Sequence, residues 1–356
     1  MEKIKVGIIG TGFTIGIAKP HINGYKQIED CALTGLYDIV PGRARDFGEK
    51  HGLEIPVYDD FESFIAAVDA VSICTHNSDH VATAEKCLAA GKHVIIEKPL
   101  ASTLEEAKKA LEFEKKYPNQ VSMVVFNYWE KPGIAQIKKF VDEGKLGKIF
   151  VFRYMLGGNR LGNKNVKLEW RMQKELSGGG ALADFGCHML ELADYLAGPS
   201  MGKITSVGCF AETFITARDD GAGNLAKVSN DDAAVIIANT EGGCLCSITA
   251  CRMQVPYECI EIIAEGGTIS HVVNTNTMTT HFKPFNDAYG NNKPEVIEIP
   301  TFNFNESGQL GVLREFVHAI KTGERPKRNI EHGYFVQKLL DALERSLETK
   351  TLVEVL

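Results

Sequence analysis

The run from Lys5 to Asp38 constrains this chain most. An apolar stretch, KVGII, leads into Gly10-Thr11-Gly12-Phe13-Thr14-Ile15-Gly16. A segment with helical character follows to about Ile28, then a second apolar stretch, ALTGLY at Ala32–Tyr37, and then Asp38. Strand, glycine turn, helix, strand and acid within this length spell a βαβ unit. Each part has a physical use at a dinucleotide site. Gly10 permits a tight turn, and Gly12 lets the backbone come close to a pyrophosphate. The helix start offers unpaired amides and the positive end of its dipole. Asp38, 22 residues past Gly16, can accept hydrogen bonds from both ribose hydroxyls and repels a 2′-phosphate. That favours NAD over NADP, a preference softened by Arg43 and Arg45 just beyond. Gly16 stands one position late for the G-x-G-x-x-G pattern.

The alternation continues. DAVSIC (Asp69–Cys74) reads as a strand, followed by Thr75-His76-Asn77-Ser78-Asp79-His80 and a helix over Val81–Ala90. HVII (His93–Ile96) is another strand, ending in Glu97-Lys98-Pro99. A helix is expected over Thr103–Tyr117 and a strand over Val121–Phe126. Strands alternating with helices make a doubly wound parallel sheet, whose ligands lie at the carboxyl ends of the strands. Residues 1–126 are therefore expected to form an NAD-binding domain of Rossmann type. The expected cofactor-binding residues are Gly10, Thr11, Gly12, Phe13, Thr14, Ile15, Asp38, Arg43, Thr75, Asn77, His80, Glu97, Lys98 and Asn127. A lysine placed directly after a buried strand differs from a solvated surface lysine. The X-Pro bond restricts Lys98 to extended conformations and admits the cis isomer.

Beyond a helix at about Pro132–Glu143 the pattern changes. Lys148–Met155, Ile204–Ile215, Asp232–Asn239, Cys244–Arg252, Glu258–Ala264 and Val296–Ile299 alternate or run apolar as strands do, with few helices between them. This predicts an α+β domain over 127–356 built on a large, open, mostly antiparallel sheet. Its helices are expected at Gly180–Leu196, Leu310–Lys321 and Glu331–Thr349. Too few helices remain to cover both sheet faces, so a homodimer or homotetramer formed through this sheet is expected.

A net charge of −7, spread along the chain, argues against a nucleic-acid or anionic-membrane surface. No apolar run approaches the ~20 residues of a membrane span. The start, MEKIKVGIIG, does not read as a signal peptide, and a cytoplasmic location is expected. The nine cysteines are scattered, with no C-x-x-C pair, and Cys244 and Cys246 read as small core residues.

GGGALADFGCHMLE (Gly178–Glu191) places Asp184 and His188 four residues apart in a helical pattern, on one face. Taken alone the pair admits three readings: a metal site, an acid/base pair or a polar helix edge. Zinc would want three protein ligands, and spacing places no third, so no metal is expected. Glu191, on a neighbouring position, can either support that pair from behind or be merely solvated, and the latter is expected. Trp170 can wall a pocket and Arg171 can pair internally. Tyr128, Asn159 and Arg160 are further candidate substrate contacts.

Several motifs then occur in a telling order: the G-x-G turn, Asp38, AGKHVIIEKPLA at Ala90–Ala101, Trp170-Arg171, GGGALADFGCHMLELADYL at Gly178–Leu196, and LREFVHAIKTGERP at Leu313–Pro326. In this order the chain resembles the glucose–fructose oxidoreductase and inositol dehydrogenase family (Gfo/Idh/MocA) over essentially its whole length. The resemblance implies an NAD(P)-dependent oxidoreductase acting on a sugar or cyclic polyol. It also implies a Rossmann domain, a second domain with a large open sheet, and dimers or tetramers. Carried over by position, it implies Lys98, Asp184 and His188 as catalytic residues. Tyr128, Trp170 and Arg171 join those three as expected substrate-binding residues. Phe126-Asn127-Tyr128-Trp129 departs from the many members that carry arginines after the aromatic. Two rival functions share this architecture. One is a redox-assisted glycosidase or lyase with self-recycling NAD; the other is a non-catalytic nucleotide-sensing regulator.

Overall fold

A computed structural model describes residues 2–12, 16–274, 278–284, 295–298 and 304–355. Contacts divide the chain into two compact units. The first is Met1–Asn127 with Asn303–Gln337, and the second is Tyr128–Phe302 with Lys338–Leu356.

The first unit is built on six strands: β1 (Ile4–Ile9), β2 (Cys31–Tyr37), β3 (Val57–Tyr58), β4 (Ala70–Ile73), β5 (His93–Ile96) and β6 (Ser122–Val124). They lie in the order β3-β2-β1-β4-β5-β6, every pairing parallel. The order reverses between β1 and β4, which makes the ends of those strands the switch point where nucleotides bind in such sheets. β4 is buried along its whole length, and β1 at every position but Lys5, because helices cover both faces. Those helices are α1 (Ala18–Tyr25), α2 (Arg43–Lys50), α3 (Phe61–Ala66), α4 (His80–Ala89), α5 (Leu104–Ala110) and α6 (Phe113–Lys116). The single helix expected over 103–117 is thus two, separated at Leu111 and Glu112. Thr103 caps α5 by accepting from the Glu106 amide.

The second unit begins with α7 (Pro132–Asp142), whose proline occupies a first-turn position that needs no amide donor. It continues through β7 (Ile149–Gly157), α8 (Lys174–Ser177), α9 (Cys187–Met201), β8 (Ile204–Glu212) and a two-stranded ribbon of β9 (Ala217–Asp219) and β10 (Leu225–Lys227). Then follow β11 (Ala233–Thr240), β12 (Leu245–Cys251), β13 (Tyr257–Ala264), β14 (Gly267–Val273), β15 (Met278–Pro284) and β16 (Glu295–Glu298).

Late in the chain α10 (Phe304–Thr322) supplies Val312, Leu313, Phe316 and Val317 to the core of the first unit. A Cβ on Gly24 of α1 would lie 2.7 Å from Leu313 Cδ1, so glycine there allows close approach of α1 and α10. α11 (Ile330–Thr349) and β17 (Val353–Glu354) complete the chain.

The nine-stranded sheet runs β16-β15-β14-β13-β7-β12-β11-β8-β17. All its pairings are antiparallel except β12 with β7. β14 and β15 lie where the sequence reading had no strands, because their threonines and histidines mask the alternation. Position 299, the expected end of the last of those strands, lies outside the described residues. One sheet face packs on α9. On the other, Phe210, Val235, Ile237 and Leu245 are exposed, and Val235 sits opposite Phe210. Among the described residues no helix is long and apolar enough to cross a membrane.

Candidate active site

In the first unit the turn after β1 is shaped by two glycines. Gly10 has φ +93°, and a Cβ on it would stand 2.6 Å from the Cys74 carbonyl oxygen after β4. A side chain is excluded on both counts. A Cβ on Gly12 would meet nothing within 4 Å, so its backbone faces open space. Asp38, 8% exposed at the end of β2, is tied into this turn. Its Oδ2 accepts from the Thr11 amide at 2.8 Å and from Thr11 Oγ1 at 3.1 Å. Its Oδ1 accepts from the Val40 amide at 3.0 Å and faces Arg43 Nη1 at 3.4 Å. The anion therefore organises the glycine turn as well as offering a carboxylate at the strand end. A cradle without side chains, a helix start and a carboxylate after β2 fit a dinucleotide. Phe13, Thr14 and Ile15 lie outside the described residues.

Lys98 is half-buried after β5, and its bond to Pro99 is cis. Glu97, expected to touch cofactor, is buried and bonded within the unit. Its Oε1 meets His21 Nε2 at 2.8 Å and Gln309 Nε2 at 3.3 Å, and its Oε2 accepts from the Lys98 amide at 3.2 Å. Burial pushes the Glu97 carboxyl up, but the hydrogen bond from His21 and the charge of Lys98 hold it below its ordinary value. His80 is fully buried and donates from Nδ1 to the Pro99 carbonyl at 2.9 Å. Asn127 donates to Gln309 Oε1 at 2.9 Å. Thr75 is half-buried, with Oγ1 3.3 Å from the His76 carbonyl, and Asn77 is buried in a 3-10 turn.

In the second unit, Gly178 ends α8 in the left-handed conformation, φ +75°. A Cβ on Gly180 would run into the Asp231 carbonyl oxygen. Asp231 then caps the next helix: Oδ1 accepts from the Gly180 amide at 2.7 Å, Oδ2 from the Leu182 amide at 2.9 Å. The first turn, Leu182–Gly186, is π-helical, with the Cys187 amide donating to the Leu182 carbonyl. Asp184 sits in this wide turn and His188 in α9, so the simple α-helical spacing assumed from sequence does not describe them.

Asp184 is half-buried and His188 is 3% exposed. The His188 ring stacks on Tyr128 with centroids 3.8 Å apart and planes 5° from parallel. Lys131 Nζ lies over the Tyr128 ring, 3.6 Å from its centroid. Lys131 in turn pairs with buried Glu258 at 2.6 Å, and Tyr154 donates to Glu258 at 2.6 Å. Loss of water pushes Glu258 up, but the Lys131 charge, with the hydrogen bonds from Lys131 and Tyr154, holds it below the usual carboxylate range, while burial pulls Lys131 below its own ordinary value. Burial, then the charges of Glu258 and Asp184, push the Tyr128 phenol up. Tyr128, Asp184 and His188 are thus brought together in the second unit, whereas Lys98 belongs to the first.

Glu191, expected to be solvated, is instead fully buried and accepts from Trp129 Nε1, because α9 turns that position inward. Trp170 and Arg171 form a 3-10 turn in which the guanidinium lies 4.1 Å from the indole centroid. Arg160 pairs with Glu169. Among the described residues no group of three or more His, Cys, Asp or Glu could hold a metal ion.

Sequence reasoning missed His21, Lys131, Asp231, Glu258 and Gln309. Only Glu258 left a signal: it shares strand parity with Ile260 and Ile262 on the inward face of β13. An acid at such a position needs a partner.

Comparison with known proteins agrees with this geometry. A model of the oxidoreductase family with NAD-binding Rossmann fold matches residues 4–125, and one of the GFO/IDH/MocA C-terminal domain matches residues 134–270. Levoglucosan dehydrogenase of Pseudarthrobacter phenanthrenivorans is 31% identical over 71% of this chain and 68% of its own. Myo-inositol 2-dehydrogenase of Thermotoga maritima is 26% identical over 99% and 98%. A solved levoglucosan dehydrogenase in complex with NADH and L-sorbose superposes over 100% of both chains with TM-score 0.89 at 27% identity. With both of its domains matched and its glycine turn, Asp38 and helix-borne histidine in place, the chain belongs to the Gfo/Idh/MocA family of oxidoreductases.

Proposed function

We propose that this enzyme oxidises a secondary hydroxyl of a sugar, anhydrosugar or cyclic polyol with NAD, and catalyses the reverse reduction. The observation that carries the reading is His188, an imidazole oriented by its ring face on Tyr128 beside the Asp184 carboxylate. Bound NAD supplies the hydride acceptor. The chain must remove the hydroxyl proton as the hydride leaves carbon, and neutral imidazole suits that task. His188 takes the proton in oxidation and returns it in reduction. Asp184 orients His188 or holds a neighbouring hydroxyl. The Lys98 ammonium hydrogen-bonds the reacting oxygen and stabilises alkoxide charge. Gly10, Thr11, Gly12 and Asp38 hold the dinucleotide. The buried anion of Asp38 favours NAD over NADP, because a 2′-phosphate would add charge beside it.

The exposed row Phe210, Val235, Ile237 and Leu245 supports self-association through the nine-stranded sheet. All nine cysteines are free, in keeping with a reducing cytoplasm.

Absorbance at 340 nm with purified protein, NAD⁺ or NADP⁺, and a panel of levoglucosan, inositols and aldoses tests the reading. We expect NADH formation that drops about 10³-fold in Lys98→Ala and in His188→Ala. A preference for NADP⁺ would refute the role given to Asp38. Product formed without net NADH would replace the dehydrogenase by a self-recycling enzyme. Sedimentation of Ile237→Glu tests the interface: a variant assembling as the wild type excludes this face.

A further inference from the structure

Behind Lys98 lies a line of buried polar side chains. His21 Nδ1 meets Ser72 Oγ at 3.0 Å, and His21 Nε2 meets Glu97 at 2.8 Å. Hydroxyl, imidazole and carboxylate follow in the order of a nucleophilic triad. Yet Ser72 and His21 are 0% exposed, and the Tyr25 hydroxyl sits 2.8 Å from Ser72 Oγ. No substrate reaches that hydroxyl.

Counting donors assigns one hydrogen. An ionised Glu97 can only accept, so His21 donates from Nε2. At Nδ1 the ring meets the Ser72 hydroxyl, which meets the Tyr25 hydroxyl in turn, so each group in the line has a partner. The line ends at a phenol that burial pushes far up, so Tyr25 keeps its proton and the line has no exit there. It fixes a charge and moves none.

Its other end grips the segment that carries Lys98. The Glu97 carboxylate accepts the Lys98 amide at 3.2 Å. On the far side, His80 donates to the Pro99 carbonyl at 2.9 Å. A carbonyl only accepts, so the His80 proton is on Nδ1, and burial holds this ring neutral by lowering its pKa. The charged and titratable groups facing Glu97 are His21 from α1, Cys74 at the end of β4, His80 from α4 and Lys98 itself.

We propose that His21, Glu97 and His80 are positioning residues for Lys98: they hold its backbone from both flanks and keep a permanent anion beside its ammonium. The inference rests on the reading that Lys98 acts in the reaction. It goes further in assigning Lys98 the role of a fixed cation, which leaves proton removal to His188.

The test uses competitive acylation of lysines in the full-length, nucleotide-free protein, read by mass spectrometry against pH, together with steady-state kinetics and NADH binding by fluorescence. Glu97→Gln keeps the shape and removes the charge. We expect its Lys98 labelling midpoint to fall by about one pH unit. Its kcat should fall about 10- to 100-fold, with KM and NADH affinity within about threefold. Ser72→Ala, which removes the hydroxyl at His21 Nδ1, should move the midpoint the same way by less. His80→Phe, which keeps a ring and removes the donor, should lower kcat and leave the midpoint in place. An unchanged midpoint in both Glu97→Gln and Ser72→Ala overturns the fixed-charge role. An unchanged kcat in His80→Phe overturns the second brace. Full activity in Lys98→Ala would instead defeat the catalytic reading of Lys98, and the labelling midpoints would still decide the brace.

Discussion

Lys98 follows a strand and is held through its main chain, whereas His188 sits on a helix and is held through its ring. In the first unit the Glu97 carboxylate, itself bonded to His21, and the His80 imidazole fasten the peptide groups on either side of the lysine. In the second unit a tyrosine lies flat on the histidine, with the Lys131–Glu258 ion pair against its other face. The first arrangement depends on donor and acceptor order, so a single changed atom breaks it. The second depends on burying two opposite charges together, so it fails when one charge loses the other.

The largest break in this comparison is expected from Lys131→Met. It leaves Glu258 buried without its cation and should cost about 3–5 kcal/mol in chemical denaturation. Adding Glu258→Gln should recover most of that loss. A cost under about 1 kcal/mol for the single variant would show that the pair does not anchor the stack.

Next comes the helix entry that carries Asp184 and His188. Gly180→Ala drives a methyl group into the Asp231 carbonyl and should lose about 1–3 kcal/mol. Gly179→Ala, whose Cβ would lie 3.3 Å from Ala183 Cβ, should lose distinctly less. Equal losses would remove the special place given to Gly180.

Tyr128 sharpens the contrast. Tyr128→Phe keeps the stack and should retain most of kcat, whereas Tyr128→Ala should lose about tenfold, near the ~0.5–1.5 kcal/mol of an aromatic pair. If Phe and Ala variants are equally impaired, the hydroxyl matters and the stack does not.

The smallest effect is shared by both units. Burial lowers the pKa of His80 and His93 in the first and of His271 in the second below 6.5. The unfolded chain takes up protons below pH 6.5 that the native rings resist, so stability present above that value is lost as pH falls. Melting temperature should be level from pH 7.5 to 8.5 and lower by ~3 °C at pH 5.5. A rise on acidification would contradict the neutral assignment of these rings.

The first sheet was legible in the sequence, apart from the short edge strand β3, because its strands alternate with short helices, and a lysine after a buried strand announces itself by position. The second sheet was legible only as a list of strands. β7 lies between β12 and β13, which follow it by about a hundred residues, and nothing local says which will pair. The same holds for side chains. The pattern at Gly178–Glu191 placed Asp184 and His188 near each other. It could not show that Tyr128 would lie on that imidazole, or that Lys131 would meet Glu258 from 127 positions away. Glu191 was misjudged because a charged residue in a helix reads as solvated until a partner such as Trp129 arrives from 62 positions earlier.

By itself the sequence determined the βαβ order, the glycine turn, the acid after β2 and the residue types we propose for catalysis, because these depend on residues close along the chain. The tertiary structure alone decided which buried charges are paired, which rings stack and which carboxylate faces inward. Those depend on contacts that form only after distant segments have lost their water, and that desolvation makes each missing partner costly.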